Sequence, residues 1–313
     1  MLQESLTPLP ASISELEDIT TLFGSRGESA LSAGGDELFL LADRAVRVSD
    51  DTIMFFRYAD LRKIGPLKPA ANVPSKVAQR TFFFEPLGLS GDDPAFEQLQ
   101  RLARNNLFST EPERHKVLKP VFARPLLPNC MDQFAEISRR VARELVSRLS
   151  GAGEIEFADG FGQALAFGVW AELLGMTNEE ARSLRQLMDG MAPLVVPGVI
   201  DRESLQRLND TVPDYLGLLV RVIERAHADG KVEFLNQMAE LYAMVGNPPI
   251  VMPENFAALA ATSMLDAFDA LGASVASCAY GLITYPDAQD AIHTDHGLIP
   301  NAVSEALRLF APV

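Results

Sequence analysis

Apolar residues recur at steps of three or four along most of the chain beyond residue 95, which is the pattern of amphipathic helices. The clearest stripe is formed by Phe134, Ile137, Val141, Leu145 and Leu149, and the arginines between them fall mostly on other faces. This spacing predicts a helix that ends at the glycine pair of 151–153. Further helices are predicted at 160–174, 178–191, 202–229 with a break or kink at Pro213, 232–244, 253–284 and 298–309.

The first hundred residues follow a different pattern. Residues 1–36 are rich in Ser, Gly, Pro and acidic side chains without clear periodicity, so we expect an irregular N-terminal arm. Two short β-prone runs within 45–57 flank Ser49-Asp50-Asp51, which indicates a hairpin, and YADLRKI then begins a helix. The chain is therefore expected to be mainly α, with one small β-sheet near the N-terminus.

The apolar segment 253–284 is long enough to span a bilayer at about 1.5 Å per residue. Asp266 and Asp269 lie near its middle, where each carboxylate would cost about 2.5–3.5 kcal/mol to insert. The segment also has Ala, Ser and Gly where a lipid-facing helix would have Leu and Ile. A central helix of a globular core is therefore favoured, and buried carboxylates there are costly unless they are paired, hydrated or functional.

Composition and charge narrow the possible functions. The 313 residues are 48% apolar and 22% charged, as in a globular protein, and their net charge of −15 disfavours nucleic acid as a partner. Cys130 and Cys278 cannot build a disulfide framework, and we interpret them as small buried apolar side chains in a reducing compartment. The acidic N-terminus has no signal-peptide pattern, so a cytoplasmic location is expected.

Three short clusters could carry chemistry, and each also has a plain structural explanation. His115 and Lys119 lie four residues apart in a basic segment that could hold the carboxylates of a ligand, although a solvated helix start explains them equally. Glu305 and Arg308 have the spacing of a helical ion pair, which occurs elsewhere in the chain and by itself indicates only a surface pair. The two histidines of 293–296 lack a third ligand nearby, so we interpret them as loop residues and expect no metal site.

The order of six segments adds information that none of them carries alone. Together they resemble bacterial cytochrome P450 enzymes, from about residue 40 to the last residue. The segments are RYADLRKI, LFSTEPERHKVLKP, VWAELLGMTNEE, the long helix with an acid near its middle, YPDAQ and AVSEALRLFAPV. The resemblance implies a P450-like helical fold over 37–313 that is incomplete in its C-terminal part.

The resemblance also implies roles in holding a haem. His115 matches the family's histidine that contacts a haem propionate. Lys119 stands where the family usually has Arg, which keeps the charge but loses the bidentate geometry. Glu305 and Arg308 fall where the family has its ExxR pair, which belongs to a buried network that helps to hold the haem-ligand loop.

A further implication concerns the family's oxygen-activating turn on the central helix. There a carboxylate and a hydroxyl position the water chain that delivers protons to iron-bound dioxygen. Asp269 retains the carboxylate, whereas Ala270 stands where the family usually has Thr. We therefore expect weak coupling or substrate-assisted chemistry in any complete enzyme.

By this resemblance the parent activity is O2-dependent hydroxylation of a small hydrophobic substrate, with haem as cofactor and a ferredoxin-type protein as electron donor. The family's axial ligand is a cysteine in a loop after the ExxR helix, and neither Cys130 nor Cys278 has that context. We therefore expect a truncated chain without an axial thiolate that is inactive by itself. A haem-free P450-like partner or activator of another enzyme is the alternative, and an unrelated helical binding protein would require the ordered resemblance to be chance.

Overall fold

The computed structural model describes residues 13–16, 45–49, 52–55, 58–64, 84, 87–90, 93–107, 112–127, 132–191, 201–245 and 255–310. The chain divides into two compact units, residues 1–71 and 72–313.

The first unit contains the predicted hairpin. Strands β1 (Ala45–Ser49) and β2 (Thr52–Phe55) pair antiparallel, with an irregularity in register between Arg47 and Ser49. Helix α1 (Tyr58–Ile64) follows, as the sequence predicts. A short 3-10 helix, Ile13–Glu15, lies within the expected irregular arm. The rest of that arm and its boundary at residue 36 fall outside the described residues, so the predicted division there stays a prediction.

The second unit is built from helices that pack around one apolar core. Short 3-10 helices occur at Pro94–Phe96, Arg124–Leu126 and His296–Leu298, and a π-helical turn, Ala158–Gln163, precedes α5. The α-helices are α2 (Glu97–Asn105), α3 (Pro112–Ala123), α4 (Asp132–Leu149), α5 (Ala164–Leu173), α6 (Asn178–Met191), α7 (Arg202–Ala228), α8 (Glu233–Val245), α9 (Phe256–Thr284), α10 (Pro286–Thr294) and α11 (Ile299–Leu309). The mainly α fold with a small N-terminal sheet is thus confirmed.

Local sequence signals account for where several helices lie. The stripe of α4 is buried at Ile137, Val141 and Leu145, as its period of three to four residues predicts. Asp201 accepts a hydrogen bond of 2.7 Å from the Ser204 N–H and so caps the start of α7.

Helix α9 begins in the same way, because Asn255 accepts a bond of 2.8 Å from the Ala258 N–H. These polar caps satisfy amide groups that would otherwise lack partners at a helix start.

The core lies around the first half of α9, which packs against α7, α2, α5 and the π-helical turn. Phe268 stacks on Phe167 with ring centroids 5.3 Å apart and meets the edge of Trp170 at 5.9 Å. On the other side, the Tyr215 hydroxyl of α7 donates a buried bond of 2.9 Å to the Ala261 carbonyl. These contacts fix α9 as the central helix that the sequence predicts.

Two details differ from the expectations. Of the break or kink predicted at Pro213, the break does not occur: helix α7 continues through the proline and is held on both sides of it by buried side chains. Helix α10 was not expected, and it places His293 in its last turn, while His296 begins a 3-10 helix. The loop interpretation of these histidines is therefore wrong. Pro286 at the first turn of α10 explains why, since proline starts helices as readily as it ends them.

Candidate functional site

Asp269 lies in the middle of the 29-residue helix α9, half-buried, and faces the π-helical turn that precedes α5. Burial raises the pKa of the Asp269 carboxyl, and a side-chain hydrogen bond from Gln163 acts in the opposite direction. The net upward direction of the pKa favours a carboxyl that can hold or release a proton nearer neutral pH than an exposed aspartate can.

The two elements approach closely because glycine occupies the contact on each side. A Cβ atom on Gly162 would lie 2.8 Å from the Gly272 carbonyl oxygen. A Cβ atom on Gly272 would lie 2.6 Å from the side-chain carbonyl of Gln163. Gly272 is three positions beyond Asp269 and shares its helix face, so the Gln163 side chain lies over this part of α9. The sequence reasoning missed Gln163, although a glycine inside a long helical pattern is a signal of close approach.

Ala270 is half-buried and offers no side-chain donor or acceptor beside Asp269. The hydroxyl nearest along the helix belongs to Ser274, which donates a bond of 2.6 Å to the Ala270 carbonyl one turn back. The side chain of Asp266 falls outside the described residues. The acid of the predicted oxygen-activating turn is therefore placed in the fold interior, without the alcohol beside it.

His115 and Lys119 lie on α3, which packs mainly on α8, and not on the π-helical turn that meets Asp269. His115 is half-buried and Lys119 is exposed. Their neighbour Arg114 is half-buried too, burial lowers its pKa, and its Nε and one terminal nitrogen have no hydrogen-bond partner among the described residues. The start of α3 thus carries cationic donors, which suits carboxylate groups of a ligand.

Glu305 and Arg308 of α11 form the ion pair that their spacing predicts, with N–O distances of 2.9 and 2.6 Å. Both side chains are exposed, at 58% and 64% of their surface, so the expected burial of this pair is not seen. Helix α11 packs on α9 and on the 3-10 helix before it, and these contacts leave both side chains of the pair largely in solvent. Hydrogen bonds from Arg308 lower the pKa of Glu305.

Cys130 lies outside the described residues. Cys278 lies on the second half of α9, half-buried, and burial raises the pKa of its thiol. It lines an apolar cavity of about 310 Å³ between α9, α10 and α11. A metal-ligating or nucleophilic cysteine needs the thiolate form, which a raised pKa disfavours.

Among the described residues, no group of three or more His, Cys, Asp or Glu side chains could hold a metal ion. Helix α9 is long and apolar enough to cross a membrane by those two criteria alone, with a mean hydropathy of 1.3. Its first half is nevertheless enclosed by other helices of the fold.

Comparison with known proteins identifies the architecture. The chain is 22% identical over 212 residues to a C-19 steroid 1α-hydroxylase of Sorangium cellulosum, covering 66% of this chain and 52% of that protein. It is 20% identical over 276 residues to 6-deoxyerythronolide B hydroxylase of Saccharopolyspora erythraea, covering 82% of this chain and 66% of that protein. The epothilone D-bound structure of cytochrome P450epoK matches with a TM-score of 0.65 at 18% identity, over 82% of this chain and 62% of that one. The chain has the cytochrome P450 fold.

The resemblance to bacterial P450 proteins that the motif order indicates is thus confirmed. No family model matches the chain. The chain spans about half to two thirds of the length of these P450 relatives. The P450 roles of Asp269, Ala270, His115, Lys119, Glu305 and Arg308 are not tested by these comparisons and stay predictions.

Haem is the cofactor that the P450 fold implies, and the described residues match it only in part. The cationic start of α3, with its unpartnered Arg114 nitrogens, has donors for propionates. The described residues include one cysteine, Cys278, and its raised pKa and apolar surroundings do not suit an axial thiolate. The described residues therefore include donors for the haem propionates but no suitable thiolate ligand for the haem iron.

Proposed function

We propose that this chain derives from a haem-thiolate monooxygenase of the P450 type, and that these 313 residues do not carry out the reaction by themselves. The observation that supports this best is the half-buried Asp269 carboxyl in the middle of α9. A carboxyl in such a place can hold an ordered water and pass a proton to it, and oxygen activation requires such a proton delivery. Partial burial of a carboxyl with no such task would lower the stability of the fold and bring no functional benefit.

The parent reaction in this proposal is O2-dependent hydroxylation of a small hydrophobic substrate. Two of the relatives are named hydroxylases, one of a C-19 steroid and one of 6-deoxyerythronolide B. The proposal further includes haem as cofactor, a ferredoxin-type electron donor and a cytoplasmic location. Within it, Asp269 delivers protons, Ala270 leaves the hydroxyl to water or substrate, and His115 with Lys119 binds propionates.

The Cys278 thiol is unsuited to bind the haem iron, and for this reason we propose that the chain is inactive by itself. Cys278 is half-buried beside an apolar cavity, where its pKa is raised, and a thiolate there would be desolvated without a cationic partner. The reduced, haem-loaded chain should therefore give a carbon monoxide difference spectrum without a thiolate-type Soret band. The appearance of that band would contradict the proposal, and Cys130→Ala and Cys278→Ala variants would then identify the ligand.

The propionate assignment has its own test, in which haem is titrated into the purified chain and binding is followed by Soret absorbance. Lys119→Ala should weaken binding, because an exposed ammonium paired with a carboxylate is lost. Lys116→Ala is the matched control, since Lys116 is an exposed lysine on the same helix that lacks a predicted propionate role. Equal effects of the two substitutions would overturn the assignment.

A second candidate function is a haem-free P450-like partner or activator of another enzyme. The apolar cavity between α9, α10 and α11, with exposed Tyr285, Ile299 and Val303 at its lining, supports it. An apolar surface of this kind is typical of a site that another protein covers. Failure of the chain to bind haem in the titration above would favour this candidate over the first.

A further inference from the structure

We propose that Gln163 is a positioning residue for Asp269, whose side-chain amide holds the Asp269 carboxyl in place in both of its protonation states. The use of this contact in catalysis rests on the proposed function. The effect of Gln163 on the titration of the Asp269 carboxyl does not rest on the proposed function.

Gln163 is brought towards Asp269 where the π-helical turn crosses α9. At the crossing of α9 and the π-helical turn, the backbone of Gly162 approaches the Gly272 carbonyl, and neither residue has a side chain in the way. The Gln163 amide occupies the space over Gly272, with its carbonyl carbon, oxygen and nitrogen 2.6, 2.6 and 2.9 Å from where a Cβ atom would stand. A π-helical turn changes the direction of the side chains that follow it, and such turns often occur at functional sites.

A carboxamide side chain can bind a carboxyl in either of its protonation states. The Gln163 side chain lies close enough to Asp269 for hydrogen bonding to lower the pKa of that carboxyl, while its Oε1 atom is buried and has no hydrogen-bond partner among the described residues. An ionised carboxylate only accepts hydrogen bonds, whereas a protonated carboxyl also donates one. Because the amide carries both an N–H donor and a carbonyl acceptor, rotation about its last bond lets Gln163 bind either form. The orphaned Oε1 is then the acceptor for the protonated form.

Asp269 has few polar neighbours on its own helix. Ala270 has no polar side chain, and the Ser274 hydroxyl is engaged with the Ala270 carbonyl. Every described Asp, Glu, Lys or Arg side chain on the π-helical turn, α5, α7, α8, α10 and α11 is exposed, and Arg101 of α2 is half-buried. His227 of α7 packs against Phe256, at the far end of the first half of α9. Asp266 is the neighbouring acid on α9 itself.

The experiment measures the titration of Asp269 in the full chain labelled with carboxyl-13C aspartate, with its signal assigned by Asp269→Asn. Gln163→Met keeps an unbranched side chain of similar size but removes the amide. Because the Gln163 amide lowers the pKa of Asp269, it binds the ionised carboxylate more strongly than the protonated form, and its removal should move the Asp269 titration to higher pH. Gln163→Glu should move it further, because a second carboxyl adds like-charge repulsion. Gly272→Ala displaces the amide without replacing it and should act in the same direction as Gln163→Met.

The matched control is Gln206→Met on α7, where an exposed glutamine donates a bond of 2.8 Å to Asp210. That substitution should leave the Asp269 titration unchanged. An Asp269 titration that stays the same in both Gln163→Met and Gln163→Glu would overturn the proposal. The measurement requires no haem, so a chain that fails to bind haem would contradict the proposed function and leave this result readable.

Discussion

From Phe256 to Phe268, helix α9 runs through the protein interior, whereas from Leu271 to Thr284 the same helix lies near the surface. Each residue from Ala257 to Leu265 is at most 3% exposed. In the second part, the residues classed as buried are the two glycines, Gly272 and Gly281. Both parts are rich in small and apolar residues, so composition does not separate them.

The difference comes from the neighbours of each part. The first part is enclosed by α7, α2 and α5, which contribute aromatic rings and a buried hydrogen bond, and the second part meets α10 and α11. An apolar helix is therefore buried only as far as other elements reach along it. Asp269 lies at the change between the two environments, which explains how its carboxyl can be partly desolvated and still exchange protons.

The largest expected effect is on stability in the first part of α9. Phe268→Ala removes a fully buried ring that touches Phe167 and Trp170, and it should lower the free energy of unfolding by about 3–5 kcal/mol. Ile283→Ala, at a position that is 76% exposed, should change it by no more than about 0.5 kcal/mol. Urea denaturation followed by circular dichroism measures both, and equal losses would mean that the two environments do not differ in solution.

The next effect concerns a buried hydrogen bond to the same helix. Tyr215→Phe leaves the Ala261 carbonyl without its hydroxyl donor and should cost about 1–3 kcal/mol. Tyr280→Phe removes a hydroxyl from a ring that is 58% exposed on the second part, and its cost should be close to zero. The same denaturation measurement applies, and a neutral Tyr215→Phe would show that the hydroxyl is not needed to hold α7 on α9.

A smaller effect is expected on how stability depends on pH, through an ion pair between α6 and α7 and another within α11. Arg225 of α7 makes two hydrogen bonds of 2.7 and 2.8 Å to Glu180 of α6, and these bonds lower the pKa of Glu180 to about 2. A carboxyl with a lowered pKa stabilises the fold above its ordinary pKa, and this contribution is lost as the pH falls from about 5 towards 2. Because both side chains are partly exposed, Arg225→Met should cost only about 1 kcal/mol at neutral pH and should flatten the loss in acid.

The control for that ion pair is Arg308→Met on α11, which breaks a pair within one helix turn whose side chains are both exposed. Because both side chains are exposed to solvent, it should change the dependence of stability on pH much less than Arg225→Met does. If Arg308→Met changed the pH dependence of stability more than Arg225→Met does, the Glu305–Arg308 pair would be more buried in solution than the structure shows.

The smallest effect tests the two buried glycines of the second part. A Cβ atom on Gly281 would meet its nearest neighbours, Ala306 and Phe310, at 3.4 Å, which is a tight but tolerable contact. Gly281→Ala should therefore range from neutral to about 1 kcal/mol more stable, through higher helix propensity. Gly272→Ala should gain less stability than Gly281→Ala, because its Cβ would displace the end of the Gln163 side chain. Thermal unfolding of the two variants measures this difference.

Sequence reasoning succeeded where the information is local or periodic. The stripe of α4, the bounds of α6 and the hairpin of β1 and β2 follow from spacing and turn residues, and the structure confirms each. The order of the motifs adds the family, which no single motif carries. The i,i+3 pair of Glu305 and Arg308 forms as predicted, but spacing says nothing about burial, and the pair is exposed.

What the sequence did not indicate depends on contacts between distant segments. Gln163 and Asp269 meet because two glycines let a π-helical turn approach α9, and the turn itself has no compositional signature. The pattern of α9 is apolar throughout, so the change from interior to surface along it has no periodic signal. Helix α10, which begins at Pro286, was not expected from the sequence. In each case the missing information is which element packs on which.

The chain has a single tryptophan, Trp170, and its place beside Phe134 and Phe268 gives the protein a natural reporter. Its emission depends on the docking of α5 on the first part of α9 and is insensitive to the second part. Circular dichroism, in contrast, reports on all helices equally. If the region of α10 and α11 melts before the core, fluorescence and ellipticity will give unfolding curves with different midpoints, and their coincidence would show that the chain unfolds as one cooperative unit.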